Sequence, residues 1–152
     1  MLVYIVEDDF LKANRLLTFL KESLEGAQVN IFGSFQSGLR ALQRATPDLV
    51  ILDMTLPTFD RAGSDREGRL RPLGGYDLMR KLIHRSVQVS VIVVTQLETF
   101  GEGADQITFP ELVERCRRDF PAIFRGGVYF RQADSGWQSE LLRLISTGEA
   151  TL

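Results

Sequence analysis

Val3-Tyr4-Ile5-Val6-Glu7-Asp8-Asp9 and Leu49-Val50-Ile51-Leu52-Asp53 are the stretches that decide the fold of this 152-residue chain. In each, a short apolar run rich in Val, Ile and Leu ends on acid. Runs of that length, bounded by polar or turn residues, predict buried strands of a parallel sheet. In an open parallel α/β sheet, ligands bind in the crevice beyond the carboxyl ends of the strands. Both acidic clusters are therefore expected at one edge, bringing at least three carboxylates together. Like charges crowded in this way are costly unless a cation joins them. An all-oxygen site suits a hard ion, Mg²⁺ above all.

Outward from these stretches, strand and helix alternate. Leu11, Leu16, Leu17, Leu20 and Leu24 recur at helical spacing after Phe10, with Asp8 or Asp9 as N-cap and Gly26 as stop. Val29 to Phe32 predicts a weaker second strand, and Ser37 to Arg44 a short helix closed by Pro47. Leu49 to Leu52 is the third strand, followed by a helix over Tyr76 to His84. Val89 to Val94 is the fourth strand, ending at Thr95. Pro110 to Phe120 reads as a helix between two prolines, Val128 to Phe130 as the fifth strand, and Trp137 to Ile145 as the last helix. Five alternations predict a doubly wound parallel sheet. Two stretches exceed the usual α/β connection: 58–73, with Arg61, Arg66, Arg69 and Arg71 set against Asp60, Asp65 and Glu67, and 96–125, opened by Gly101 and Gly103. Long loops at the ligand edge act as lids or docking surfaces more often than as filler. In the second, Phe100, Phe109, Phe120 and Phe124 are expected to pin the segment to the core.

Bulk properties narrow the function. The hydrophobic fraction of 44% and charged fraction of 25% describe an ordinary soluble domain, and the length suits one domain. A net charge of −2 gives no footprint for nucleic acid or anionic membrane. The lone Cys116 fits a reducing compartment, and neither a signal peptide nor a membrane-length apolar run is present, so a cytoplasmic location is expected.

The residues that carry chemistry resemble those of a known family, the receiver domains of two-component response regulators. Val6-Glu7-Asp8 is similar to the family's acidic pair, and Leu52-Asp53-Met54-Thr55-Leu56-Pro57 to its phosphoacceptor segment. Gly75-Tyr76-Asp77-Leu78 resembles the glycine-led start of its third helix. Val93-Val94-Thr95 resembles its hydroxyl-bearing strand end, and Tyr129 matches the aromatic switch position. The resemblance runs over the whole chain as a single receiver-like domain, 1–152, with the two long stretches as insertions. It implies a flavodoxin-like sheet of strand order 2-1-3-4-5. It also implies phosphorelay signalling without enzymatic turnover: Asp53 phosphorylated, with Mg²⁺, by a histidine kinase or phosphotransfer protein. With no output domain expected after the last helix, output would pass to a downstream protein or through a homodimer.

Chemistry and resemblance agree on the roles. A strand-end carboxylate is a competent nucleophile toward phosphorus, which makes Asp53 the candidate acceptor. By the match, Asp8, Asp53 and the backbone carbonyl of Thr55 would hold Mg²⁺, with Glu7 ligating directly or through water. Thr95 would donate its hydroxyl to a phosphoryl oxygen, and Tyr129 would repack in response. Two departures stand out. The family's lysine, three residues after Tyr129, is replaced by Gln132, with Arg131 beside it on the opposite strand face, and the region between Thr95 and Tyr129 is enlarged. The missing lysine keeps open a pseudo-receiver, a docking module that is never phosphorylated.

Each residue also has a plainer reading. Glu7 to Asp9 would suit a solvated helix start, Asp53 a turn before Pro57, Thr95 an ordinary strand end, and Tyr129 a core position. His84, with no partner histidine, reads as a surface residue. A haloacid-dehalogenase-type phosphatase shares Asp-x-Thr in Asp53-Met54-Thr55, but it carries its nucleophile on the first strand and its acidic pair afterwards, the reverse of this order.

Overall fold

The computed structural model describes residues 1–60 and 70–150. Among these residues nine strands and five α-helices follow one another: β1 (Leu2–Val6), α1 (Phe10–Ser23), β2 (Gln28–Phe32), α2 (Phe35–Arg44), β3 (Leu49–Leu52), β4 (Leu56–Pro57), β5 (Leu70–Arg71), α3 (Gly74–His84), β6 (Ser90–Thr95), β7 (Thr99–Phe100), β8 (Ile107–Thr108), α4 (Phe109–Asp119), β9 (Phe124–Tyr129) and α5 (Gly136–Ala150). The five principal strands form one parallel sheet in the order β2-β1-β3-β6-β9, which is the 2-1-3-4-5 arrangement of a flavodoxin-like fold.

Alternation along the strands separates the core into two halves. Tyr4, Val6, Val50, Leu52, Val91 and Val93 face α2, α3 and α4. Val3, Ile5, Leu49, Ile51, Ile92, Val94 and Val128 face the other way, against Leu16 and Leu20 of α1 and Trp137, Leu141 and Leu144 of α5. Because both faces are covered, the central strands are apolar at nearly every position, which is why their sequences run unbroken.

The helix boundaries follow local capping. Asp9 caps α1, its Oδ1 accepting from the Leu11 and Lys12 amides at 3.0 and 3.2 Å. Ser34 and Ser37 cap one another at the start of α2, two residues earlier than the apolar pattern suggests. The strand β9 also starts earlier, at Phe124, and skips Arg125 as a bulge against β6. At Gly127 a Cβ would lie 2.8 Å from Val113 of α4, so α4 packs almost onto the β9 backbone.

The second long stretch contributes to the core. β7 and β8 pair antiparallel, and Phe100, Phe120 and Phe124 are buried with Ile107, while Phe109 packs against them. At the first stretch, β4, just before it, pairs antiparallel with β5 inside it. There the Arg71 guanidinium lies 4.2 Å from the Phe35 ring centroid and its Nε donates to Thr58 Oγ1. Arg61, Asp65, Arg66, Glu67 and Arg69 lie outside the described residues. His84 is exposed at the end of α3. Among the described residues no helix is long and apolar enough to cross a membrane.

Candidate functional site

The parallel register builds the site. Val6 pairs with Leu52, so the residues that follow, Glu7 and Asp53, leave adjacent strands side by side. The Asp53 amide donates to Val6 C=O at 3.0 Å and the Glu7 amide to Phe32 C=O at 2.9 Å, which keeps both chains in line past the last paired residue. Glu7, Asp8 and Asp53 each offer a carboxylate oxygen, all within 4.8 Å of one another. Asp9 does not join them, because its carboxylate is spent on the α1 cap. Of the acidic run, one residue has the plain helix-start role and two face the strand end.

Glu7 is buried, with Oε2 accepting from the Asp9 amide at 3.0 Å. Asp53 is 7% exposed, and its Oδ1 accepts from the Met54 amide at 2.8 Å. Behind it, Gly75 closes the β3–α3 corner. Its amide donates to Met54 C=O at 2.8 Å, and a Cβ there would fall 2.5 Å from the Asp53 carbonyl oxygen. Only glycine lets α3 approach the acceptor's backbone so closely. Thr55 sits on the same turn, its hydroxyl donating to Pro72 C=O at 3.0 Å.

Thr95 is fully buried at the end of β6. Its Oγ1 accepts from the Leu97 amide at 3.2 Å, which leaves the hydroxyl hydrogen available to an acceptor. Tyr129 is its register partner on β9. The Tyr129 ring is half-buried, edge-on to Phe109 at 6.1 Å, with the Arg131 guanidinium 5.2 Å from its centroid. Arg131 is thus engaged with the switch-position aromatic. Gln132 is exposed, and its carbonyl accepts from Arg15.

The residue that sequence reasoning missed is Lys12. It comes from the first turn of α1 and is 0% exposed. Its Nζ stands 2.5 Å from Glu7 Oε1 and 3.4 Å from Asp53 Oδ1, and donates to Val94 C=O at 2.7 Å. One hydrogen bond and two ion pairs give the buried ammonium the partners it requires. The signal was present in the sequence. Lys12 lies four residues before Leu16 and eight before Leu20, on the stripe that faces the sheet, so a charge there must be buried and paired. Conversely Phe10 and Leu11, apolar at the helix start, are 78% and 67% exposed beside the acidic edge.

Electrostatics reflect this crowding. Burial pushes the Glu7 carboxyl up to about 7, reinforced by the neighbouring Asp53 charge and opposed by Lys12. Burial likewise raises Asp53, while Lys12 and the Met54 amide pull it back. Three carboxylates and one ammonium leave surplus negative charge, which a divalent cation or a proton must balance. The donor set fits Mg²⁺: all oxygens, and a Glu7 Oε1 that is buried without a hydrogen bond, held only by its ion pair.

Known proteins fall in line with this geometry. The family model of the response regulator receiver domain matches residues 3–106. The Detocs response regulatory protein DtcB of Enterobacter cloacae is 28% identical over 148 residues, covering 96% of this chain and 99% of that protein. The uncharacterized protein y4jR of Sinorhizobium fredii is 30% identical over 144 residues, covering 93% and 94%. Among solved structures, the receiver domain of the Francisella response regulator 1452 superposes with a TM-score of 0.64 at 14% identity, covering 99% and 98% of the two chains. The response regulator TrrA of Thermotoga maritima, determined with Mg²⁺ and beryllofluoride, gives 0.58 at 16% identity, covering 94% and 97%. With its sheet order, its strand-end acids and a family match over two thirds of its length, the chain belongs to the response regulator receiver domain family.

Proposed function

We propose that this protein is a phosphorelay receiver that accepts a phosphoryl group on Asp53 in a Mg²⁺-dependent reaction and signals by binding another protein. The observation that carries the reading is the convergence of Glu7, Asp8 and Asp53 at one strand edge, with the buried Thr95 at the next strand end. Phosphoryl transfer is chiefly positioning and charge neutralisation. Glu7, Asp8, Asp53 and the Thr55 carbonyl would hold Mg²⁺, which supplies charge neutralisation for the acceptor and the phosphoryl oxygens. The donor is a phosphohistidine of a kinase or phosphotransfer protein. Its P–N bond breaks as a P–O bond forms to an Asp53 oxygen, and the departing imidazole takes a proton from solvent. Thr95 then donates its hydroxyl to a phosphoryl oxygen, and Tyr129, its neighbour on β9, repacks against Phe109. The exposed Phe10 and Leu11 give the donor an apolar footing next to the acid cluster. The domain extent follows the same reading: a single receiver over 1–152, with insertions at about 58–73 and 96–125.

A second reading has one observation in its favour. The Lys12 ammonium already stands within the carboxylates, so the site could be a neutralised pseudo-receiver that serves as a docking module. Intact mass after incubation with acetyl phosphate and Mg²⁺ separates the two. A receiver gains one phosphoryl group, and loses the gain on chelation or in Asp53→Asn. A pseudo-receiver gains none.

A further inference from the structure

The geometry points to Lys12 as the catalytic cation that contacts the phosphoryl group and ties it to the end of β6. This rests on the phosphorylation of Asp53 proposed above and adds a residue of α1 to that chemistry. Phosphorylation adds about −1.5 to −2 charge to a pocket that already holds Glu7, Asp8 and Asp53. Among the described residues Lys12 is the one buried basic side chain, and its Nζ is 3.4 Å from Asp53 Oδ1. No rearrangement of the backbone is needed for it to reach an oxygen attached to Asp53.

Its other contacts make it more than a counter-ion. Nζ bridges the ends of three strands: Glu7 after β1, Asp53 after β3, and the Val94 carbonyl in β6. A phosphoryl oxygen would compete for the same three N–H donors. When the ammonium turns to it, Glu7 Oε1 or Val94 C=O gives up its partner, and the peptide that gives up the bond in β6 is the one leading into Thr95. Loss of a charge-assisted bond to a buried carbonyl is enough to move that peptide. Lys12 thereby converts charge at Asp53 into a displacement at Thr95 and, through the register pair, at Tyr129. The role falls to α1 because position 132, three residues beyond the end of β9, carries an exposed glutamine.

The test uses the full chain with ¹⁵N-lysine labelling, which gives three side-chain signals, from Lys12, Lys21 and Lys81. Acetyl phosphate and Mg²⁺ are added to wild type, Lys12→Met and Lys12→Arg. Amide spectra and thermal unfolding report whether each is folded, and calorimetry reports Mg²⁺ affinity. The expected result is that the Lys12 Nζ signal shifts on phosphorylation of wild type while Lys21 and Lys81 stay put. Lys12→Met should retain Mg²⁺ binding, incorporate phosphate about a hundredfold more slowly and show no Thr95 amide shift, with Lys12→Arg recovering part of the rate. A Lys12 Nζ signal unmoved by phosphorylation overturns the assignment without any variant. So does Lys12→Met phosphorylated at the wild-type rate with the Thr95 shift intact. Mg²⁺ binding that appears only in Lys12→Met also overturns it, because the ammonium would then be filling the metal position. A wild type that takes no phosphoryl group refutes the proposed function itself, a distinct outcome.

Discussion

Without Mg²⁺, this protein should become less stable as the pH rises from about 4.5 to about 7, and Glu7 is the cause. Burial beside Asp53 raises its carboxyl from 4.5 to about 7, so folding favours the protonated form. The contribution is fully present below the unfolded value of 4.5 and is lost as the pH climbs through about 7. At about 1.4 kcal/mol per pH unit that interval corresponds to about 3 kcal/mol. Asp53, raised by the same burial, acts in the same direction. For a domain of this size the loss is a fall in Tm of roughly 6 to 12 °C. Mg²⁺ should reverse it, because the ion replaces the proton. At a hundredfold excess over Kd it restores about 2.7 kcal/mol, and its affinity should weaken below about pH 7, where the proton on Glu7 must leave first. Thermal unfolding followed by circular dichroism, with chelator or with Mg²⁺ across this range, measures both effects. Glu7→Gln, which mimics the protonated acid, isolates the residue by flattening the slope. A chelated wild type whose Tm is level or rises with pH, or a Glu7→Gln profile as steep as wild type, would refute the reasoning.

Other expectations come from single contacts. Gly75→Ala drives a methyl to within 2.5 Å of the Asp53 carbonyl. Overpacking of about 1–3 kcal/mol should outweigh the gain of up to about 1 kcal/mol in helix propensity, lowering both the urea midpoint and Mg²⁺ affinity. Thr95→Val removes the acceptor of the Leu97 amide, and should cost about 1–2 kcal/mol in chemical denaturation while leaving Mg²⁺ affinity unchanged. Phe10→Ser, at a position 78% exposed, should alter stability by less than about 0.5 kcal/mol and leave acetyl phosphate labelling intact. The same variant should slow transfer from a phosphorylated kinase, because it removes apolar footing beside the acid cluster.

The sheet was legible because its central strands are covered on both faces and so appear as unbroken apolar runs, each halted by acid. The pairing of Glu7 with Asp53 follows from parallel register alone. What escaped the sequence lies where a residue's type misstates its surroundings. Lys12 carries a charge that normally marks a solvent face, yet it stands in phase with Leu16 and Leu20, and the site's own carboxylates make its burial tolerable. Leu11 belongs by spacing to the apolar stripe of α1, but with Phe10 it occupies the helix's exposed start. The apolar run Val128 to Phe130 marks only the end of the fifth strand, and Gly126 and Gly127 precede it. They are interior to β9, where the lack of a side chain lets α4 and α5 close on its two faces. The Ser34–Ser37 box is a readable cap for α2, and it sets the helix start two residues before the apolar pattern does.

A receiver function requires an acyl phosphate at Asp53. Borohydride reduction of protein treated with acetyl phosphate and Mg²⁺, followed by peptide mass spectrometry, locates such a bond, since an aspartyl phosphate is reduced to homoserine with release of phosphate. Homoserine is expected at position 53 in the presence of Mg²⁺ and aspartate there in its absence. Aspartate at 53 under both conditions, or a modification that maps to another residue, would contradict it.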